Sequence, residues 1–400
     1  MIHEITKTHS RIATVIVSFN AGSRVEARSG YNLGISHMLE HSIFKGTNKM
    51  NAMEIQKRIA FLGGSSNAFT SHESVAYYVT VPFENLEPCI EILSDMVFNP
   101  IFPEDEILKE IEVVKEEELS SKDDTQGYIW REFSEDFFGS HYLSLPVIGF
   151  QDTISEFSRD EVASFHEKFC QRKDAIVSLC SNLKKKDAKQ LLNNYFGKSS
   201  GRTKTLYKFS EPEYRPSREI SLTRAGVEQT HVWMGMPSVT SSNELSPSVK
   251  LLMTILGSGM DSRLFEEVRE KRGLVYGISS SSVEWQGGGL SMVEFSTRDS
   301  NVLEAMDVVN DQIGIIANTL PDEEELQRAK NKIRSSFYSA IEDSYNLAYW
   351  AVKRRMHSIP SIEDYMTSID ETTCSDIVDA AKVVFDTDRK LTVICRKEDE

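Results

Sequence analysis

The sequence predicts an α+β fold with two similar halves, and three observations lead to this prediction. Strand-like runs and amphipathic helices follow one another without strict alternation, which argues against a parallel doubly wound sheet. The order of these elements repeats in the second half of the 400 residues. Between the two halves, the segment TLYKFSEPEYRPSR at 205–218 carries two prolines and no apolar period. We therefore expect residues 1–205 and 219–400 to form homologous α/β sandwiches, each an antiparallel-rich sheet with helices packed on it, joined by a linker at 206–218.

The elements of the first half follow from β-branched runs, capping residues and helical periodicity. A capping box of Asn51 and Glu54 opens one helix, and Ser158 with Glu161 opens another. The predicted elements are, in order, a strand at 11–20, helices at 32–45 and 51–62, strands at 65–70 and 74–81, helices at 83–98, 104–120, 125–138 and 158–169, and a strand at 175–180.

The second half repeats this style of strands followed by long helices. A Ser246-Pro247 pair marks a helix start, because proline is favoured in the first turn of a helix. The predicted elements are, in order, a strand at 230–236, helices from 246 to about 270, strands at 275–282 and 288–297, helices at 301–320, 323–340, 345–359 and 374–384, and a final strand at 391–395.

Composition excludes several classes of function. The 45 basic and 61 acidic residues give 45 − 61 = −16, a charge that repels phosphate backbones, so we expect no nucleic-acid partner. No apolar run is long enough to cross a bilayer, so we expect no membrane partner either. The five cysteines are scattered without a CxxC pair, which suits a reducing compartment. With no signal-like start, the sequence predicts a cytoplasmic protein.

The segment His37-Met38-Leu39-Glu40-His41 is the most informative motif. On a helix, residues four apart share a face, so both imidazoles can reach one metal ion while Glu40 projects beside them. This HxxEH order inverts that of the HExxH zinc peptidases and is the inverzincin signature. The alternative is a pair of helical histidines that neighbouring acids satisfy. The motif favours a catalytic zinc ion with a carboxylate poised over its water.

A catalytic zinc ion takes three protein ligands, so a third donor is needed. The candidates lie in the acidic run that ends the helix beginning at residue 104. Relative to the apolar stripe of Ile107, Glu116 points towards solvent and is the weakest candidate. Glu118 projects into the stripe, and Glu117 flanks it on the same side as Glu110. Helical phase alone does not separate Glu117 from Glu118.

These motifs resemble those of the pitrilysin-type inverzincin metallopeptidases, especially the bacterial relatives of the mitochondrial processing peptidase. The similar segments are HMLEHSIFKGT at 37–47, GGSSNAFTSHESVAYYVTV at 63–81, EIEVVKEEEL at 110–119, HYLSLPVIGF at 141–150 and LGSGMDSRLFEEVREKRGLVYGIS at 256–279. The resemblance covers both halves, with the motifs in the expected order. It implies two homologous halves that face each other as a clamshell, with zinc bound to the first.

The resemblance also implies the roles of single residues. It selects Glu117 as the third ligand, because the family's ligand lies seven residues after a second glutamate of the same helix, here Glu110. Glu110 would then support the site from outside the ligand shell. Asn67 and Ala68 would bind the substrate backbone by strand addition. Arg269 and Tyr276 would bind substrate near the zinc ion, where they could hydrogen-bond the scissile carbonyl or its oxyanion.

We therefore expect a zinc endopeptidase that cleaves peptides or extended, unfolded segments inside a chamber. It would carry one Zn²⁺ per chain on His37, His41 and Glu117, with Glu40 as the general base. The alternative function is a noncatalytic structural or regulatory subunit that partners an active chain. Such subunits lose a ligand or the general base, whereas this chain has all of them. A homodimer is the expected assembly, because one type of polypeptide supplies every required residue.

Overall fold

The computed structural model describes residues 1–200 and 210–398, so the predicted linker at 206–218 lies partly outside the described residues. The elements of the first half are β1 (Ile2–Lys7), β2 (Ile12–Phe19), α1 (Ile35–Ser42), α2 (Ala52–Phe61), β3 (Ser65–Thr70), β4 (Val75–Pro82), α3 (Leu86–Phe98), α4 (Glu104–Asp123), α5 (Thr125–Phe138), α6 (Gln151–Ser155), α7 (Arg159–Phe169), β5 (Ile176–Ser181) and α8 (Lys185–Phe196).

The second half continues in a similar style. Its elements are β6 (Arg218–Arg224), β7 (Thr230–Pro237), α9 (Ser246–Gly257), β8 (Val275–Trp285), β9 (Gly288–Thr297), α10 (Val302–Asn318), α11 (Glu323–Ile341), α12 (Ser344–His357), α13 (Ile362–Glu371), α14 (Cys374–Val384) and β10 (Leu391–Lys397). A π-helical turn at Phe265–Glu270 lies between α9 and β8. None of the helices in the described ranges is long and apolar enough to cross a membrane.

The two sheets have the same topology. The first has the strand order β1-β5-β2-β4-β3 and the second the order β6-β10-β7-β9-β8. In each sheet the first strand pairs in parallel with the last, and the other three pairings are antiparallel. The α+β prediction with antiparallel-rich sheets is therefore confirmed, and the matching strand orders support a duplication. Among the described residues, β3 and β8 are the edge strands on the side opposite the parallel pairs.

Each sheet buries both of its faces. In the first sheet, alternate residues such as Val15 and Val17 face the main core, which also contains residues of α1, α3, α4, α7 and α8. Residues on the opposite face of the sheet, including Ile16 of β2 and Ala76 of β4, belong to a smaller cluster with Ala348 of α12. This arrangement follows from the strand period of two, which sends successive side chains to opposite faces.

Each half of the sequence supplies one helix to the compact unit of the other half. Residues 124–144, which contain α5, form part of the second compact unit, and residues 339–356, which contain most of α12, form part of the first. Phe133 of α5 packs on Trp233 of the second sheet, with ring centroids 6.2 Å apart. Tyr345 of α12 packs on Tyr78 of the first sheet at 4.5 Å. The sequence-based division at 1–205 and 219–400 follows the duplication but does not include this exchange.

Candidate metal centre

Helix α1 presents one buried face and one face with the motif residues. Ile35, Met38 and Leu39 are fully buried in the main core, which fixes the rotation of the helix. His37, Glu40 and His41 lie on the other side and are only partly buried. The helix was predicted at 32–45, but the α-helix begins at Ile35, after Gly34, and continues beyond Ser42 only as a 3-10 turn at Ile43–Lys45.

Three donor groups converge beside this face. The carboxylate oxygens of Glu117 lie 3.9 Å from Nε2 of His37 and 3.5 Å from Nε2 of His41. One ligand atom from each of the three residues can be chosen so that all lie within 4.8 Å of one another. Two imidazole nitrogens and one carboxylate oxygen are a common donor set of catalytic zinc. The residues present therefore fit a zinc ion, and their role as its ligands stays a prediction.

The three neighbouring glutamates Glu116, Glu117 and Glu118 have different surroundings. Helical phase predicted the solvent exposure of Glu116 and the burial of Glu118, and the structure also separates Glu117 from Glu118. Glu118 is fully buried and accepts hydrogen bonds from Gln151 Nε2 and Lys122 Nζ, both at 2.8 Å. Glu116 is exposed to solvent. Of the two neighbours that phase left open, only Glu117 therefore has its carboxylate beside the two histidines. The side chain of Glu117 is half exposed, so a carboxylate at this position stays open to solvent.

Glu110 contacts the same histidine from the other side. Its Oε2 lies 3.0 Å from Nδ1 of His41, and its Oε1 pairs with the ammonium of Lys45. A carboxylate that accepts the Nδ1 proton leaves Nε2 as the free donor atom of the ring. This position is compatible with the supporting role expected of Glu110, which stays a prediction. Sequence reasoning missed Lys45, although its position four residues after His41 places it on the same helical face.

The charges of this cluster shift the pKa values of its members in opposite directions. Burial, reinforced by the nearby His41, lowers the pKa of His37 to about 4. Burial also opposes protonation of His41, but hydrogen bonds with Glu110 and Glu117 outweigh it and raise the pKa of that imidazole to about 9. The raised pKa favours the imidazolium form of His41 between these two carboxylates in the metal-free protein. A metal cation bound at this position would displace that proton and supply a positive charge between the two carboxylates in its place.

Glu40 is held differently from the three donor residues. Its Oε2 accepts a hydrogen bond of 2.5 Å from Oγ1 of Thr70, at the end of β3. Burial raises the pKa of Glu40, although the hydrogen bond from Thr70 and the nearby His41 act against this shift. A carboxylate with a raised pKa accepts a proton more readily near neutral pH. Nothing in the sequence pattern singled out Thr70.

Strand β3, which carries Asn67 and Ala68, is one of the two edge strands of the first sheet in the described part of the chain. Its other side is paired with β4, where Asn67 lies opposite Tyr78 and Ala68 opposite Tyr77. Asn67 is exposed, and its side-chain oxygen accepts a hydrogen bond of 2.9 Å from the amide of Ala68. An edge strand offers unpaired backbone groups for strand addition. The predicted role of Asn67 and Ala68 in binding substrate is compatible with this position and stays a prediction.

Arg269 and Tyr276 belong to the second compact unit. Arg269 lies in the π-helical turn, and its guanidinium carbon lies 5.0 Å from the centre of the Tyr276 ring. Tyr276 is the second residue of β8 and is 79% exposed. The structure thus brings these two residues together as a cation–π pair with an exposed tyrosine ring. Their predicted role as substrate donors stays a prediction.

Two family models match the chain. Residues 2–149, which carry every predicted zinc ligand, match the model described as insulinase (peptidase family M16). Residues 156–333 match the model described as peptidase M16 inactive domain. The predicted zinc site and the segment that resembles an inactive domain thus lie in different parts of the chain.

Relatives and solved structures agree with these matches. An uncharacterized zinc protease of Streptomyces coelicolor is 29% identical over 391 residues, which are 96% of this chain and 85% of that protein. One of Mycobacterium tuberculosis is 30% identical over 334 residues, 83% of this chain and 76% of that protein. A peptidase M16 inactive domain from Pseudomonas fluorescens has a TM-score of 0.89 at 19% identity, covering 99% of this chain and 95% of that one. A Helicobacter pylori protease has a TM-score of 0.88 at 23% identity, covering 98% and 96%. The chain therefore belongs to peptidase family M16, the pitrilysin-type peptidases.

Proposed function

We propose that the protein is a zinc-dependent endopeptidase acting on peptides or extended segments of unfolded polypeptides. One observation carries the proposal: two imidazole nitrogens and the Glu117 carboxylate converge within 4.8 Å, beside a carboxylate, Glu40, that is not part of the set. Relatives that carry the name zinc protease support the choice of metal. A purely structural cluster would have no need of a separate carboxylate with a raised pKa.

His37, His41 and Glu117 would hold the ion, with Glu110 fixing the tautomer of His41. A zinc ion held there supplies a Lewis acid that lowers the pKa of a water and polarises a carbonyl. Glu40 accepts a proton from the attacking water and delivers it to the nitrogen of the scissile amide. The hydroxide thus adds to the carbonyl carbon, the C–N bond breaks, and the proton leaves with the amine.

The substrate would be held as an added strand on β3. Because Thr70 ends this strand and donates to Glu40, a peptide paired with Asn67 and Ala68 would run beside the general base. Backbone pairing gives affinity without demanding one sequence, so the proposal includes a broad range of peptides. In the same proposal Arg269 and Tyr276 act as donors to the substrate, and the active assembly is a homodimer.

The experiment is digestion of a peptide library by the zinc-loaded protein, read by mass spectrometry with and without a chelator. We expect cleavage that the chelator abolishes and about one zinc per chain. His41→Ala should lose both zinc and activity. Glu40→Gln should keep zinc and peptide binding while turnover falls by about 10² to 10⁴, the usual contribution of a general base.

Two outcomes would contradict the proposal. Activity without bound zinc would remove the metal from the mechanism, and an unchanged rate in Glu40→Gln would remove the general base. A protein that binds peptides and zinc but cleaves none of them would instead be a noncatalytic subunit.

A further inference from the structure

A buried carboxylate outside the motif contacts the start of α1. Glu26 has no exposed surface, and its two oxygens accept hydrogen bonds from the backbone amides of Gly34 and Ser36, both at 2.8 Å. Ser36 lies in the first turn of the helix, whose amides have no partner within the helix. No side chain next to this turn caps it, because the residue before the helix is Gly34. Glu26 thus caps the N-terminus of α1, although it lies eight residues before Gly34 in the sequence.

The backbone at Gly34 fits this arrangement. Gly34 has a φ of 94°, in the left-handed region that favours glycine. A β-carbon at this position would lie 2.3 Å from the carbonyl oxygen of Ile148, so a side chain could not be accommodated there. A local side-chain cap is therefore excluded at this position, and the cap has to come from elsewhere in the chain.

The segment that carries Glu26 is also tied to the hairpin between β3 and β4. Arg24 and Glu73 form an ion pair whose side chains are 1% and 4% exposed. The amide of Arg24 donates to the carbonyl of His72 at 3.0 Å. At Gly22 an added β-carbon would lie 2.3 Å from the carbonyl oxygen of Ser71, so the two backbones approach closely. Residues 22–26 therefore connect the hairpin turn at 71–74 with the start of α1.

The same two elements meet again at the proposed site. Thr70 precedes the hairpin turn and donates to Glu40 of α1. A shift of α1 against the hairpin would change the distance between the general base and the strand that we propose for substrate. Buried polar contacts resist such a shift, because each partner left without its hydrogen bond would remain desolvated.

We propose that Glu26, supported by the Arg24–Glu73 pair, is a positioning residue that holds the HxxEH helix in register with strand β3. This role rests on the proposed peptidase function, since it concerns how Glu40 and the metal ligands face the substrate strand. It acts through α1 and involves no contact with substrate or metal.

The test compares Glu26→Gln with Glu118→Gln. Both substitutions replace a carboxylate that is fully buried in the same compact unit, but Glu118 accepts hydrogen bonds from Gln151 and Lys122, which lie outside α1. Each variant is measured at a temperature well below its unfolding transition. The readouts are hydrogen exchange of the peptide covering 33–42, zinc affinity by competition with a chromophoric chelator, and kcat and KM on one peptide.

Glu26→Gln keeps one acceptor oxygen and presents an NH₂ group to the other amide. We expect faster exchange over 33–42, zinc affinity reduced about 10- to 100-fold, as for residues that orient metal ligands, and kcat reduced by a similar factor with KM little changed. Glu118→Gln should show none of these effects per folded molecule. If Glu26→Gln fails to fold, Glu26→Asp provides the same comparison, because it keeps the carboxyl group but is one methylene too short to reach both amides.

Equal exchange, zinc affinity and kcat in the two variants would overturn the proposal and leave Glu26 as an ordinary structural residue. A wild-type protein that binds zinc but cleaves no peptide would instead refute the proposed function. In that case exchange and zinc affinity still decide whether Glu26 positions α1.

Discussion

Glu117 and Glu118 are neighbours in the sequence, but their replacement by glutamine should have opposite effects. Glu117→Gln removes a charged oxygen donor from the three-residue metal set while changing a side chain that is half exposed. Glu118→Gln leaves the set intact but removes a charge that is fully buried and bonded to Lys122 and Gln151. Glu117→Gln should weaken zinc binding, and Glu118→Gln should lower the free energy of unfolding.

The magnitudes follow from these environments. Loss of the proposed ligand should weaken zinc binding by more than about 100-fold, beyond the 10- to 100-fold typical of residues that orient a ligand, the role proposed for Glu110. The free energy of unfolding of metal-free Glu117→Gln should change by less than about 1 kcal/mol, as for other exposed ion pairs. Hydrogen bonds to charged groups contribute about 1.5–3 kcal/mol each. Because Lys122 is 38% exposed and can turn to water, we expect a loss of about 2 kcal/mol for Glu118→Gln.

The assay pairs urea unfolding of the metal-free proteins with a zinc competition titration. Glu116→Gln is the matched control, since Glu116 is exposed and should change neither quantity. Zinc loss in Glu118→Gln but not in Glu117→Gln would show that the wrong neighbour was chosen. A destabilisation of Glu117→Gln as large as that of Glu118→Gln would refute the assignment of one to the site and the other to the core.

Three further predictions concern Thr70, Glu26 and the five cysteines. Thr70→Val removes the hydrogen bond to Glu40, so turnover should fall about 10-fold with zinc content unchanged; an unchanged kcat would exclude Thr70 from the site. Burial raises the pKa of Glu26 from 4.5 to about 7, so the folded state binds this proton more tightly than the unfolded state. The free energy of unfolding of the wild type should therefore fall by about 3 kcal/mol relative to Glu26→Gln as pH rises from about 4.5 to 7, and parallel urea curves would contradict this. All five cysteines are buried, so a thiol reagent should label none in the native protein and all five in urea; rapid native labelling would contradict the packing.

Much of the fold could be predicted from local patterns. The Asn51–Glu54 capping box and the strands at 65–70 and 288–297 are found where the sequence predicted them, because capping chemistry and alternation are local signals. Strands β1 and β6 were missed. Each is a short edge strand with interspersed polar residues, and each gains its place through parallel pairing with a strand more than 150 residues away.

In the candidate site, too, the sequence revealed residues that share one helix but not contacts between separate elements. The spacing of His37, Glu40 and His41 defines one face of a helix, so sequence alone could group them. The distinction between Glu117 and Glu118 needs the positions of Gln151 and of the histidines, which helical phase does not contain. Thr70 and Glu26 were missed because their roles arise from hydrogen bonds between separate elements, with no repeating pattern to reveal them.

The exchanged helices have a consequence for synthesis on the ribosome. The last strand of the first sheet ends at Ser181, but the helix that covers Ile16 and Ala76 ends at His357, 357 − 181 = 176 residues later. At a synthesis rate of about 5–20 residues per second, this apolar face stays uncovered for roughly 10 to 35 seconds before α12 is complete. A nascent chain, or a fragment cut between the halves, would expose it throughout. The first half should therefore need a chaperone, or the second half, to stay soluble.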